Sequence, residues 1–255
     1  MGTGYRELAA MLRDAIQRGV YPPDTTLPRQ AELAVQHGVN VNTVRKAVSV
    51  LGAEGLVTPV RRRGTVVRAR PPMRRLGADR YARSKWKYAD VVAFAADREA
   101  SGRGWRVADQ TNTVALVDAD LEVSDALGLA PGSPVYERFR LVSDAGQPTH
   151  VLTSYYRPAD VEGTPLVDPA AGPAGPGGGF RVLTLKGLEP HRITETVQAR
   201  MPTPDETEQL RLPAGEPVMV LRRTTFTDDG RVVEFARGTH AASRFSWSYT
   251  FEIPE

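Results

Sequence analysis

Apolar residues recur at helical spacing through the first fifty positions. Leu8, Ala9, Leu12, Ala15 and Ile16 share one face of a helix predicted over residues 5–18, which Gly19 stops. Val20-Tyr21-Pro22-Pro23-Asp24 is turn chemistry. A short helix is predicted from Gln30 to His37, with Leu33 and Ala34 inward and Gly38 as its C-terminal cap. A third is predicted as far as Glu54, capped by Asn40 or Asn42 and stopped by Gly55. The pattern then changes to two short strands, Leu56-Val57-Thr58-Pro59-Val60 and Gly64-Thr65-Val66-Val67. Arg61-Arg62-Arg63 joins them. Three helices and a hairpin therefore make up a first domain over residues 1–70.

A basic stretch over 71–84 follows, with Pro71-Pro72 at its start, and reads as a linker. Asp79-Arg80-Tyr81-Ala82-Arg83-Ser84-Lys85-Trp86 mixes charge with aromatic rings. Residues 85–255 read as one α+β domain, in which strands and Pro/Gly turns dominate from Asp109 onward. Asp168–Gly179, rich in Pro, Gly and Ala, is expected to be a mobile loop. This half carries a diverged repeat. Leu127-Gly128-Leu129, Gly132 and Pro134-Val135 are echoed, 83 residues later, by Leu210-Arg211-Leu212, Gly215 and Pro217-Val218. Both copies run into basic strands, at Arg138-Phe139-Arg140 and Arg222-Arg223, and then into Gly-containing turns. Two related halves of one domain is the simpler reading; a chance likeness of two β-hairpins is the alternative.

Composition narrows the function classes. Hydrophobic residues make up 41% of the 255 and charged residues 25%, as in soluble folded proteins. No apolar run approaches the ~20 residues that span a bilayer, and the N-terminal segment has no signal-peptide core. A cytoplasmic protein with no membrane partner is expected. Without cysteine there is no disulfide, thiolate zinc site or cysteine nucleophile. His37, His150, His191 and His240 are scattered, so no metal or cofactor is assigned. No nucleophile elbow, HExxH or phosphate-loop pattern occurs, so no catalytic residue is assigned and the chain is not read as an enzyme. The net charge of +3 hides an asymmetry. Residues 1–88 hold 17 Lys/Arg against 6 Asp/Glu, a net +11, which leaves −8 for the remainder. One end suits a polyanion.

The third helix explains why. Val44, Ala47, Val48 and Leu51 form its inner stripe, while Asn42, Arg45, Lys46 and Ser49 lie opposite, with no acidic residue among them. Amides can read adenine edges and arginine guanine edges in a major groove. Thr43 is placed for a phosphate near the helix start. At the hairpin tip, Arg61, Arg62 and Arg63 suit phosphates or a minor groove, and Gly64, followed by Thr65, permits close backbone approach. Arg29, Gln30 and Asn40 complete the candidate DNA contacts.

Residues 5–68 resemble the DNA-binding domain of the GntR family. The resemblance lies in Tyr5, Leu8-Ala9, Leu12, Ile16, Gly19, Tyr21-Pro22-Pro23, Leu27-Pro28, Glu32-Leu33-Ala34, Gly38-Val39-Asn40, Thr43-Val44-Arg45, Ala47, Leu51, Glu54-Gly55-Leu56 and Gly64-Thr65-Val66-Val67. It implies a winged helix-turn-helix that binds a near-palindromic double-stranded operator as a homodimer. Val41 stands where the family usually has an arginine that contacts DNA. Arg29 is placed to compensate for the charge, and a valine there suits a thymine methyl.

Residues 85–253 resemble the ligand-binding (UTRA) domain of the HutC subfamily. This rests on Leu127-Gly128-Leu129, Gly132-Ser133-Pro134-Val135, Arg138-Phe139-Arg140, Gly146-Gln147-Pro148, Ser154-Tyr155-Tyr156, Glu195, Leu210, Leu212, Gly215, Pro217-Val218 and Gly230–Glu234. It implies a chorismate-lyase-like α+β fold with an antiparallel sheet that binds a small effector and dimerises, without lyase activity. Arg138 and Arg140 alternate on one strand and so share a face, a clamp for an anionic effector. Ser154, Tyr155 and Tyr156 offer hydroxyls, and Glu195 and Glu234 offer acceptors. Arg237, Thr239 and Arg244 lie near the last strands, where the subfamily contacts ligand. The expected function is a ligand-responsive repressor that its effector releases from DNA. A constitutive DNA-binding protein whose second half only dimerises, and a lyase-like enzyme fused to a DNA-binding domain, remain as alternatives.

Overall fold

The computed structural model describes residues 3–68, 73–170, 172–213 and 215–253. The Pro71-Pro72 breaker and the domain boundary at residue 70 lie outside them. Helix α1 (Tyr5–Gln17) buries Leu8, Ala9 and Leu12; α2 (Gln30–Gln36) buries Leu33 and Ala34; α3 (Val41–Ala53) buries Val44, Ala47 and Leu51. These stripes converge with Leu27, Val57 and Val67 in one core. Asn40 caps α3 by accepting the Thr43 N–H at 2.8 Å. Strands β1 (Val57–Val60) and β2 (Gly64–Val67) form an antiparallel hairpin, and Thr26 adds a rung beside Val66. Truncating a fully enclosed residue such as Leu33 to alanine would cost about 2–5 kcal/mol.

The second domain is built on a six-stranded antiparallel sheet. Its strands are β4 (Gln110–Asp118), β5 (Pro134–Asp144), β6 (Gln147–Tyr156), β7 (Arg192–Arg200), β8 (Val218–Phe226) and β9 (Val232–Ala241). They lie in the order β4-β5-β6-β9-β8-β7, so β6 and β9 pair at the centre and each half mirrors the other. Helix α5 (Leu121–Leu127) follows β4, and α8 (Pro204–Gln209) follows β7. The repeat in the sequence is thus a repeat of strand, helix and hairpin. Equivalent positions do equivalent work: Asp120 and Thr203 cap the two helices, and Gly128 and Arg211 end them with left-handed backbone, φ 64° and 49°.

Residues 73–84 are not a linker. Strand β3 (Met73–Leu76) pairs in parallel with β10 (Phe245–Ser248), and Arg75 and Arg80 are buried in the second domain. Arg75 pairs with Glu195, and Arg80 with Asp97 at 2.9 Å. Composition reveals basic charge but not the distant carboxylates that neutralise it. The Pro/Gly/Ala-rich segment also has fixed partners among its described residues. The Gly172 N–H donates to the Gln110 carbonyl at 3.0 Å and the Gly177 N–H to the Asp90 carbonyl at 3.1 Å, before α7 (Gly178–Leu185) begins. Helices α4 (Ala93–Ala100), α6 (Pro158–Val161) and α7 complete the domain.

Candidate DNA-reading face and ligand cavity

Helix α3 keeps its two faces apart as its sequence requires. Asn42, Arg45, Lys46 and Ser49 are exposed, and Val48 is half-buried at the edge of the inner stripe. Asn42 accepts a hydrogen bond from Arg45, which holds the guanidinium on the helix surface. Val41 is 47% exposed at the helix start, an apolar group presented to solvent beside the polar face. Asn40 and Thr43 are less free than their residue types suggest. The Asn40 carbonyl oxygen accepts both the N–H and the hydroxyl of Thr43, so only the amide N–H₂ of Asn40 remains to donate. Arg29 is exposed and Gln30 half-buried at the start of α2, where the Arg29 N–H donates to Glu32 at 2.9 Å.

The hairpin divides its three arginines. Arg61 and Arg62 are exposed, whereas Arg63 donates back to the Asp24 carbonyl of its own domain. Arg62 has a left-handed backbone, φ 64°. Gly64 has φ 100°, and a Cβ there would come within 3.1 Å of the Thr26 side chain. Turn geometry and the neighbouring Thr26 therefore already require this glycine. Thr65 is half-buried behind it.

In the second domain, side chains alternate across the central sheet and split the expected ligand residues between its faces. Arg138, Arg140, Tyr156 and Glu234 line a cavity of about 110 Å³ on one face. Ser154 joins them from behind, fully buried, donating to Glu234 at 2.6 Å and accepting from Arg140. Tyr155, Arg237 and Thr239 point to the opposite face. Tyr155 packs with Val123, Leu127 and Phe235 beneath α5; burial, then the charge of Glu137, pushes its hydroxyl up to about 12. Arg237 is bound by Asp120 and Glu122, and Thr239 donates to Glu206 at 3.1 Å. Arg244 is held by the backbone carbonyls of Pro148, Leu210 and Arg211. Glu195 faces the same side as the cavity but lies outside it, bound to Arg75 and accepting from Tyr81 at 2.6 Å. Burial works to raise this carboxyl, but Arg75 outweighs burial and holds it down at about 2. Arg222 and Arg223 take opposite faces as well: Arg222 meets Glu122, and Arg223 enters the cavity.

Two kinds of guanidinium line the cavity. Arg80 and Arg223 are neutralised, by Asp97 and by Glu234 respectively. Glu234 is 1% exposed and saturated: Arg223 approaches both oxygens at 2.9–3.0 Å, and Ser154, Tyr156 and Thr225 donate to it as well. Arg138 and Arg140 make no ion pair among the described residues. The 2% exposed Arg138 donates through Nη1 to the carbonyls of Leu166 and Asp168, and Arg140 donates to Leu152 and Ser154. Among the described residues, Nη2 of Arg138 and Nη1 of Arg140 have no protein acceptor. Burial, then the like charge of Arg140, pushes Arg138 below its ordinary value; burial does the same to Arg140. A guanidinium stays protonated regardless. An anion seated between the two would meet free donors and relieve their repulsion.

The rest of the wall comes from residues that were not among the expected ligand contacts. Tyr81, Trp86 and Phe180 form an aromatic side, with Trp86 edge-on to Phe180 at 5.9 Å. Gln110 and His150 also line the cavity. The mixture of rings and charge over residues 79–86 was the one visible signal, because such a mixture suits a ligand as well as it suits a linker. Gly177 makes this wall possible. It has φ 68°, and a Cβ there would stand 2.1 Å from the Trp86 carbonyl oxygen. Among the described residues no cluster of three or more His, Asp or Glu is arranged for a metal, and no helix is long and apolar enough to cross a membrane.

Comparison with known proteins finds two family models along the chain. A family model described as bacterial regulatory proteins, gntR family, matches residues 4–67, and one described as the UTRA domain matches residues 103–246. An HTH-type transcriptional regulator of Streptomyces coelicolor is 51% identical over 98% of this chain and 93% of its own. The HTH-type transcriptional repressor NagR of Bacillus subtilis is 25% identical over 95% of this chain and 92% of its own. A crystal structure described as a GntR-family transcriptional regulator is 30% identical, covers 98% of both chains and superposes with a TM-score of 0.61.

Proposed function

The chain belongs to the gntR family of bacterial regulatory proteins, a transcriptional regulator with a UTRA effector-binding domain, and on that premise we propose that it is a homodimeric repressor that a small anionic effector releases from a near-palindromic operator. Helix α3 enters the major groove, and the arginine-tipped hairpin meets the flanking backbone. Two half-sites lie one or more helical turns apart. The repressor reading is supported by the likeness to the Bacillus subtilis repressor NagR. Binding of operator DNA assigns the protein to the cytoplasm.

The effector reading rests on one observation: Arg138 and Arg140, which make no ion pair among the described residues, carry their charge into a partly open cavity. Burying a cation without a counter-ion is costly, and an anionic ligand removes that cost. The cavity accommodates a small carboxylate or phosphate compound rather than a bulky one. Effector and DNA then act as linked ligands: the effector favours an arrangement of the two sensor domains that misplaces the winged helices. The test is a thermal-shift screen of small carboxylates and phosphate monoesters, followed by operator anisotropy with each stabilising compound. A compound that raises the melting temperature and weakens DNA binding is expected. A panel without any stabilising compound, with operator binding intact, would overturn the effector reading and leave a constitutive DNA-binding protein.

A further inference from the structure

The DNA-binding and sensor domains meet at a buried carboxylate that belongs to one and is neutralised by the other. Glu216, in the turn before β8, is 4% exposed. Its Oε2 accepts from Nη1 of Arg68, the residue that follows the hairpin strand β2, at 2.9 Å. The same Nη1 donates to the Ser243 hydroxyl at 2.5 Å, and that hydroxyl donates to Glu216 Oε1 at 2.6 Å. Arg68 Nε is held at 2.8 Å by the Thr58 hydroxyl on β1. The guanidinium thus has one end fixed in the hairpin and the other in the sensor domain.

The same seat receives the end of helix α3. A Cβ on Gly55, just past α3, would lie 3.5 Å from the Ser243 side chain, and one on Gly215 would lie 3.9 Å from Ala53. Arg244 is the other cation near Glu216, but its donors go to three backbone carbonyls. If the winged helix left this seat, Glu216 would lose its hydrogen-bonded cation, so departure is disfavoured. We propose that Glu216 is a positioning residue for the DNA-reading helix: through Arg68 it fixes where the winged helix stands on the sensor domain. This uses no assumption about the effector.

The absence of native cysteine makes a direct test possible. Nitroxide labels at Val35→Cys on α2 and Leu185→Cys on α7, both highly exposed positions, report the distance between the domains. Pulsed electron resonance on the full-length protein, diluted with unlabelled chains, should give one narrow distance peak. Glu216→Gln and Arg68→Ala should each lose that narrow peak, and the double variant should be no broader than either, because all three remove the same contact. Helical circular dichroism checks that each variant stays folded. Narrow peaks in both single variants, or a double variant broadened by the sum of the two, would overturn the proposal.

Discussion

Arg138 and Arg140 stand two residues apart on one face of β5, and both reach the same cavity with no carboxylate paired to either among the described residues. Their neighbours Arg80 and Arg223 are each matched by an acid. That surplus of positive charge is the ground on which an anionic effector is proposed.

Replacing Arg140 with glutamine should weaken effector affinity by about 10- to 100-fold, the range for a hydrogen bond to a charged group. Removing a half-buried cation that makes no ion pair among the described residues should leave the melting temperature of the free protein unchanged or higher. Titration calorimetry with whichever compound emerges from the screen, together with scanning calorimetry of the free variant, measures both. Unchanged affinity would remove Arg140 from the site.

On the DNA side, Arg45→Ala should cost about 1–3 kcal/mol of operator binding, the usual value of a base-reading arginine. Arg45 is exposed and donates to Asn42 of its own helix, so the fold should be unaffected. Fluorescence anisotropy on a duplex selected by the wild-type protein gives the affinity, and an unchanged value would remove α3 from the groove.

The three hairpin arginines should behave unequally. Arg61→Ala and Arg62→Ala should each lower the slope of log affinity against log salt by about 1, since each frees one counterion on binding. Arg63→Ala should leave the slope nearly unchanged, because Arg63 turns back to the Asp24 carbonyl. Equal effects from all three would contradict that division.

Stability should fall on mild acidification. His150 and His240 stack with ring centroids 4.6 Å apart in the sensor core. Burial pushes both imidazoles well below their ordinary value, and the nearby arginines Arg80, Arg75 and, for His150, Arg98 push the same way. The unfolded chain takes up protons below about pH 6.5 while the folded chain does not. The histidine contribution is therefore present above that pH and lost as pH falls, with a limiting slope of about 1.4 kcal/mol per pH unit for each histidine. Glu195, held down at about 2, adds to the loss only below the ordinary carboxylate range. Urea midpoints between pH 8 and pH 3 test this, and His240→Phe should flatten the upper part of the curve.

The sequence alone determined the first domain almost to the residue. Helices, caps and hairpin follow from local rules: a 3.6-residue apolar stripe, Asn40 before α3, glycines after each helix, and β-branched residues in the strands. The repeat was also legible, because capping and turn residues recur at a fixed offset. Local rules do not say which carboxylate meets which arginine. Tertiary structure decided that Arg75 and Arg80 are interior residues rather than linker, because Glu195 and Asp97 reach them from distant elements. It also divided the expected ligand residues, placing Tyr155, Arg237 and Thr239 on the opposite face of the sheet from Arg138, Arg140 and Tyr156. Strand alternation predicts that two residues share a face but not which face will be covered by a cavity wall. That wall, from Tyr81, Trp86 and Phe180, exists only because segments about a hundred residues apart fold onto one sheet.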